Sequence, residues 1–124
     1  EGKELKEEEL IQSLRESCSN LIFCEIQGQY YIETGKETLP AELVLKAYDF
    51  FEQTVELLLE QGGSLFYRLT DMDGVLRISV NLEGVCRTES LQEKYPLLHM
   101  EQEEEKEWFL ALQLSEKGGN DEIL

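Results

Sequence analysis

The pattern of apolar residues predicts an α+β domain built as a two-layer sandwich, with helices packed on one face of a mixed, mostly antiparallel sheet. Three observations carry this. From Ala41 to Gln61 the residues Val44, Ala47, Tyr48, Phe51, Val55, Leu58 and Leu59 recur at spacings of three and four, which gathers them on one helix face. The segments SLFYRLT and VLRISVNL alternate apolar and polar residues, as half-buried strands do. Asp71-Met72-Asp73-Gly74 joins those segments with residues that favour tight turns. A long amphipathic helix among hairpins buries its stripe by lying across a sheet.

In chain order, residues 4–19 read as a helix with Leu5, Leu10, Ile11 and Leu14 on an acidic background, ended by Ser19-Asn20. The stripe fits an ordinary surface helix. It fits equally a linker helix from an upstream region, through which the chain would form a homodimer. On that reading residues 1–19 are the linker helix, residues 20–119 the domain and residues 120–124 a polar tail. Residues 21–34, with LIFCEI and QYYIET on either side of Gln27-Gly28, read as a β-hairpin. Gly35 to Thr38 is a polar loop, with Thr38 as helix cap and Pro40 in the first helical turn. Gly62-Gly63 ends the long helix. Thr88 to Lys94 forms one short helix before Pro96, and Leu97 to Met100 pairs with a last strand carrying Trp108, Leu110, Leu112 and Leu114. Gly118-Gly119 and a polar tail close the chain.

A length of 124 residues suits one core. The net charge of −16 excludes nucleic acid and direct contact with an anionic membrane, because both need a basic footprint. No segment approaches the roughly 18–20 apolar residues that span a bilayer, and the opening EGKELKEEEL is charged throughout, unlike a signal peptide. The absence of an initiator Met suggests a domain cut from a longer protein. Its expected location is the cytoplasm, with any membrane anchor in the parent chain. Cys18, Cys24 and Cys86 have no metal-binding spacing and read as reduced thiols filling core space.

No intact catalytic constellation and no metal site is expected. Placing Gly74 in the turn of a calcium loop puts Leu69 and Val80 where carboxylates are needed, so Asp71 and Asp73 serve a hairpin turn. His99 is the only histidine, without an evident acid–base partner, and reads as structural or solvent-facing. The run Glu101 to Glu107 reads as a solvated acidic turn, and Tyr30, Tyr31 and Trp108 as sheet packing. Neither G-x-G-x-x-G nor G-x-x-x-x-G-K-[ST] occurs, so a glycine-rich phosphate cradle is absent.

The stretch LPAELVLKAYDFFEQTVELLLEQGGSLFYRLTDMDGVLRISVNLEG resembles the ATP-binding domain of two-component sensor histidine kinases, the Bergerat or GHKL ATPase fold. WFLALQLSEKGG is similar to that family's closing strand. Together these cover residues 39–84 and 106–119. The resemblance implies which residues stand at the nucleotide-site positions. Glu52 matches a helix glutamate, Glu56 stands where the family has the asparagine that helps hold magnesium, and Leu59 and Glu60 replace its basic and histidine neighbours. Leu82 stands where an aspartate reads the adenine amino group, and the glycine after it is kept as Gly84. Residues 85–100, where a glycine-rich box and ATP lid belong, contain no glycine, and the helix with the phospho-accepting histidine is missing.

The resemblance therefore implies a C-terminal domain of a sensor histidine kinase in two-component signal transduction. It is expected to bind no cofactor, with ATP–magnesium bound only if the site works. It would serve as a pseudo-kinase-like signalling or interaction module for protein partners. Two alternatives remain: an active kinase domain with an atypical ATP pocket in which Glu56 takes magnesium, and an unrelated acidic protein-binding domain.

Overall fold

The long amphipathic segment forms the helix that lies across a sheet, as its periodicity requires. A computed structural model describes residues 3–72, 74–84 and 87–115. In order the elements are β1 (Glu4–Lys6), α1 (Glu7–Leu21), β2 (Ile26–Glu33), β3 (Thr38–Pro40), α2 (Ala41–Glu56), β4 (Gly63–Met72), β5 (Val75–Glu83), α3 (Glu89–Lys94), β6 (His99–Glu104) and β7 (Glu107–Ser115). A five-stranded sheet has the order β2-β4-β5-β7-β6, and β1 and β3 form a small separate ribbon. β2 runs parallel to β4, and the other neighbours are antiparallel. The expected mixed, mostly antiparallel sheet with helices on one face is the architecture found.

Several local expectations are corrected. Residues 21–34 are not a hairpin: Ile22–Cys24 form a short 3-10 turn, Glu25 takes a left-handed conformation at φ 61°, and β2 is one uninterrupted strand. Gln27-Gly28 suggested a turn, yet Gly28 serves a close approach. A Cβ there would meet Leu21 Cδ1 at 2.8 Å and Cys18 Sγ at 3.1 Å, so the missing side chain lets α1 lie down on β2. The first helix starts at Glu7, because Glu4–Lys6 pair with Thr38–Pro40. Glu7 then accepts hydrogen bonds from the backbone N–H and hydroxyl of buried Thr34 at 2.8 and 2.7 Å, fixing the helix start to the end of β2. Thr38 does not cap α2. It is paired in β3, Pro40 sits in the cap position without a side-chain bond, and the first helical N–H, that of Ala41, donates to the Lys3 carbonyl at 2.9 Å. The regular helix ends at Glu56, with residues 57–61 continuing as turns.

The hairpin between β4 and β5 closes where Met72 pairs with Val75. Gly74 has φ 82°, a conformation cheap only for glycine; Asp73 lies outside the described residues, as do Cys86 and Gly118-Gly119. The short helix expected at 88–94 is α3, and His99 opens the strand β6 paired with β7.

One face of the sheet holds the core. Leu65, Tyr67 and Leu69 of β4 lie beside Leu76, Ile78, Val80 and Leu82 of β5, then Leu110, Leu112 and Leu114 of β7. Leu43, Val44, Ala47, Phe50 and Phe51 of α2 and Leu10 and Leu14 of α1 close over them. Each large apolar side chain buried this way contributes about 1.5–3 kcal/mol relative to exposure. Of the stripe Leu10, Ile11 and Leu14 on which self-association was expected, Leu10 and Leu14 are buried inside the chain and Ile11 is half-buried. The buried stripe differs slightly from the sequence reading: within α2 Phe50 and Thr54 are buried, and in the turns beyond its end Leu59 is 50% exposed.

Tyr67 joins the two layers. It is fully buried, its hydroxyl donates to the Ala47 carbonyl at 2.9 Å, and its ring meets Phe51 edge-on at 5.4 Å. Burial pushes this hydroxyl far above its ordinary pKa of 10.0, so the folded state keeps the proton that the unfolded chain gives up. The resulting stability is complete below about pH 10 and is lost as pH rises above it. Urea unfolding is expected to show stability falling above pH 10. Tyr67→Phe should cost about 1 kcal/mol at neutral pH and make the alkaline fall shallower. An unchanged slope would mean that the hydroxyl is reached by solvent.

The thiols give a second check. Cys24 is exposed and Cys18 half-buried, both unpaired, and burial raises the Cys18 pKa. Since the thiolate is the reactive form, Cys24 is expected to alkylate faster than Cys18 in the folded protein, followed by mass spectrometry. Alkylation after unfolding without reductant should modify Cys18, Cys24 and Cys86; a retained disulfide would contradict this.

Candidate functional site

The end of α2, the end of β5 and the short α3 meet at one corner of the sheet. β5 leaves the sheet at Gly84, whose φ is 108° and whose N–H donates to the Lys106 carbonyl at 2.8 Å. A Cβ on Gly84 would lie 2.7 Å from the Gly62 carbonyl oxygen. The two chain reversals therefore touch through backbone, and glycine is required by both φ and space. Gly63 is tighter still, with φ 140° and no room for a Cβ beside the Glu83 carbonyl oxygen.

A depression of about 520 Å³ opens beside this contact, lined by Glu56, Leu57, Glu60 and Gln61 from one side and by Gly84, Arg87, Glu89, Ser90 and Glu93 from the other. Four carboxylates thus face one guanidinium. Arg87 Nε lies 3.7 Å from Glu89 Oε1, with both side chains largely exposed, a pair too solvated to cancel much of the charge. No basic residue occupies the last turn of α2, so the carbonyl end of its dipole adds negative potential. A phosphate charge about 8 Å from a carboxylate is repelled by about 0.5 kcal/mol even in water, and by several-fold more where water is excluded. Such a surface resists polyanions. Among the described residues no three His, Cys, Asp or Glu side chains converge as a metal site.

α3 is seated by its own packing. Leu91 and Leu98 are buried, the Tyr95 ring meets Phe50 edge-on at 5.1 Å, and its hydroxyl donates to Asp49 Oδ2 at 3.0 Å. Burial, then the hydrogen bond to Asp49, raises the Tyr95 pKa well above its ordinary value. With Leu91 inward, Glu89, Ser90 and Glu93 face outward over the depression.

Of the four nucleotide-site positions read from the sequence, the structure brings Glu56 and Gly84 to this depression. Glu52 borders the adjoining groove between α1 and α2, with Ser17, Asn20, Phe51 and Val55, and Glu56 borders both. Leu82 is 1% exposed on the core face of β5, opposite Leu65 and Trp108 on the neighbouring strands, and does not line the depression. Arg87, Glu89, Ser90 and Glu93 were missed in the sequence; the outward face of the expected 88–94 helix was the available signal for three of them. His99 is exposed, with Nε2 3.9 Å from Glu101 Oε2, in keeping with a solvent-facing histidine. Trp108 Nε1 and Asp71 Oδ1 are buried without a hydrogen-bond partner among the described residues.

No protein-family model matches the chain, and no curated protein sequence matches it. Solved structures do match. The nucleotide-free catalytic domain of the histidine kinase ThkA superposes with a TM-score of 0.61 at 14% identity, covering 90% of this chain and 92% of that one. The histidine kinase AdeS of Acinetobacter baumannii gives a TM-score of 0.61 at 4% identity, over 94% of this chain and 68% of that one. ThkA in complex with the response regulator TrrA gives 0.58 at 14% identity, over 90% of this chain and 40% of that one. At these identities the likeness is one of fold. The chain has the fold of the catalytic domain of sensor histidine kinases, as the resemblance over residues 39–84 and 106–119 implied.

Glu60→Lys places a cation at the carbonyl end of α2 among Glu56, Glu89 and Glu93. It is expected to raise the melting temperature at low ionic strength, with the gain fading near about 0.5 M salt as screening shortens. A drop in melting temperature at low salt would contradict a crowded negative surface.

Proposed function

We propose that this chain is a histidine-kinase-type domain that has kept the fold without a working ATP–magnesium site, and that it serves as a non-catalytic signalling module docking a protein partner. The observation carrying this is the corner depression: Glu56, Glu60, Glu89 and Glu93 surround the place where the resemblance puts a polyphosphate. Leu82 supports it, because an alkyl side chain on the core face offers no acceptor for an adenine amino group. Residues 85–100 support it too, having no glycine to bring backbone N–H groups close to phosphate. The docking role draws on the ThkA complex, in which a kinase of this fold is seen with a response regulator. No described helix is long and apolar enough to cross a membrane.

Isothermal titration with ATP and magnesium tests this reading. Loss of the adenine hydrogen bond costs about 1–3 kcal/mol, and carboxylate repulsion adds to it. Since each 1.4 kcal/mol is about tenfold in affinity, no binding is expected below about millimolar nucleotide. A dissociation constant in the low micromolar range would instead support an active kinase domain with an atypical pocket, with Glu56 on the metal.

A further inference from the structure

The sheet face turned away from the helices carries no covering layer among the described residues, and its chemistry differs from the rest of the surface. Strand register sets its side chains in rungs. Arg68, Ser79, Ala111 and His99 follow one another across β4, β5, β7 and β6, and Thr70, Arg77 and Gln113 form the next rung. Ser79 and Ala111 are small, so a hollow of about 910 Å³ forms between Arg68, Arg77, His99 and Phe109. No carboxylate lines it, in a chain with 27 acidic and 11 basic residues. Two of the four arginines, Arg68 and Arg77, border it, with Arg77 Nη1 3.6 Å from the Met72 sulfur.

The Arg68 guanidinium is already held in place. Nε donates to Ser79 Oγ at 2.8 Å, Nη2 donates to Asn81 Oδ1 at 2.8 Å, and the group lies 4.8 Å from the Phe66 ring centroid. Two of its five N–H donors are used there. A fork fixed in advance loses little side-chain freedom when it takes an anion.

A second feature adjoins the hollow. β6 pairs with β7 only as far as His99 opposite Ala111, whereas β5 pairs with β7 as far as Ser115. Residues 112–114 therefore have a described strand partner on one side only, and Leu112 and Gln113 also line the hollow. Such an edge accepts an extended chain through main-chain hydrogen bonds. Alternate side chains of an added strand face the same side as Gln113.

We propose that this edge and hollow bind an extended acidic segment of a partner protein. The segment adds as a strand beside residues 112–114, turns its carboxylates toward Arg77 and Arg68, and rests an apolar side chain against Phe109 and the 54%-exposed Leu97. Charge selects the occupant. A second copy brings a further −16, whereas a short segment brings only its own carboxylates. At physiological salt the Debye length is about 8 Å, so the nearby guanidinium groups outweigh the distant acidic surface. The inference stands whether or not the corner depression binds nucleotide.

The test is an NMR titration of the isotope-labelled chain with an end-blocked eight-residue peptide alternating Glu with Val and Tyr, beside a counterpart with Lys in place of every Glu. Expected are amide shifts centred on Ser79, Ala111, Leu112 and Gln113 with the acidic peptide and none with the lysine peptide. Arg77→Gln, and separately Arg68→Gln with Arg77→Gln, should weaken binding about tenfold or more with the melting temperature of Arg77→Gln unchanged. Absence of shifts at millimolar peptide, an equal response to the lysine peptide, or shifts centred elsewhere would overturn the proposal. Shifts that depend on protein concentration without peptide would assign the surface to a second copy and overturn it equally.

Discussion

The hydroxyl of Tyr67 on the Ala47 carbonyl is the contact on which the architecture turns. β4 lies between its parallel neighbour β2 and its antiparallel neighbour β5, so a side chain at its middle reaches the centre of the helical layer. A buried phenol must place its O–H on an acceptor, and Ala47, fully buried and small, brings the backbone of α2 close enough to supply one. Phe51, one turn further along α2, closes edge-on against the same ring. These contacts fix where α2 crosses the sheet. That crossing sends the helix end, with Glu56 and Glu60, to the corner where Gly84 leaves β5, and Phe50 and Asp49 on the same helix then seat Tyr95 and α3.

The framework places opposite charge on separate surfaces. At the corner, two helix ends and a chain reversal gather four carboxylates around a single exposed arginine. On the open face, pairing across four strands gathers two arginines and a histidine around a floor of Ser79 and Ala111. Neither grouping follows from the net charge, which would spread acidity everywhere. Both follow from register and helix phase.

How much was legible in the sequence depended on how local the determining contact is. α2, the β4–β5 hairpin, α3 and the β6–β7 pair are set by periodicity and turn residues within a few positions, and all were readable. β2 was not, because its partner β4 lies across the whole of α2, and Gly28 signals a contact with Cys18 and Leu21 of α1 rather than a turn. The true start of α1 was hidden likewise, since Glu4–Lys6 take their conformation from Thr38–Pro40. At the candidate site the burial of Leu82 was readable in the alternation of Leu76, Ile78 and Val80. The meeting of Glu56 and Glu60 with Arg87, Glu89 and Glu93 was not, because it needs three segments brought to one corner by long-range packing.

On the proposed function, the corner lined by Glu56, Glu60, Glu89 and Glu93 is electronegative where the resemblance puts a polyphosphate. The most direct test is the local potential itself, read from the broadening of backbone amide signals by a cationic and by an anionic nitroxide at matched concentration. The amides of Gln61, Gly84 and Ser90 are expected to be broadened strongly by the cationic probe and little by the anionic one. Equal broadening at these amides, or preference for the anion, would contradict the account.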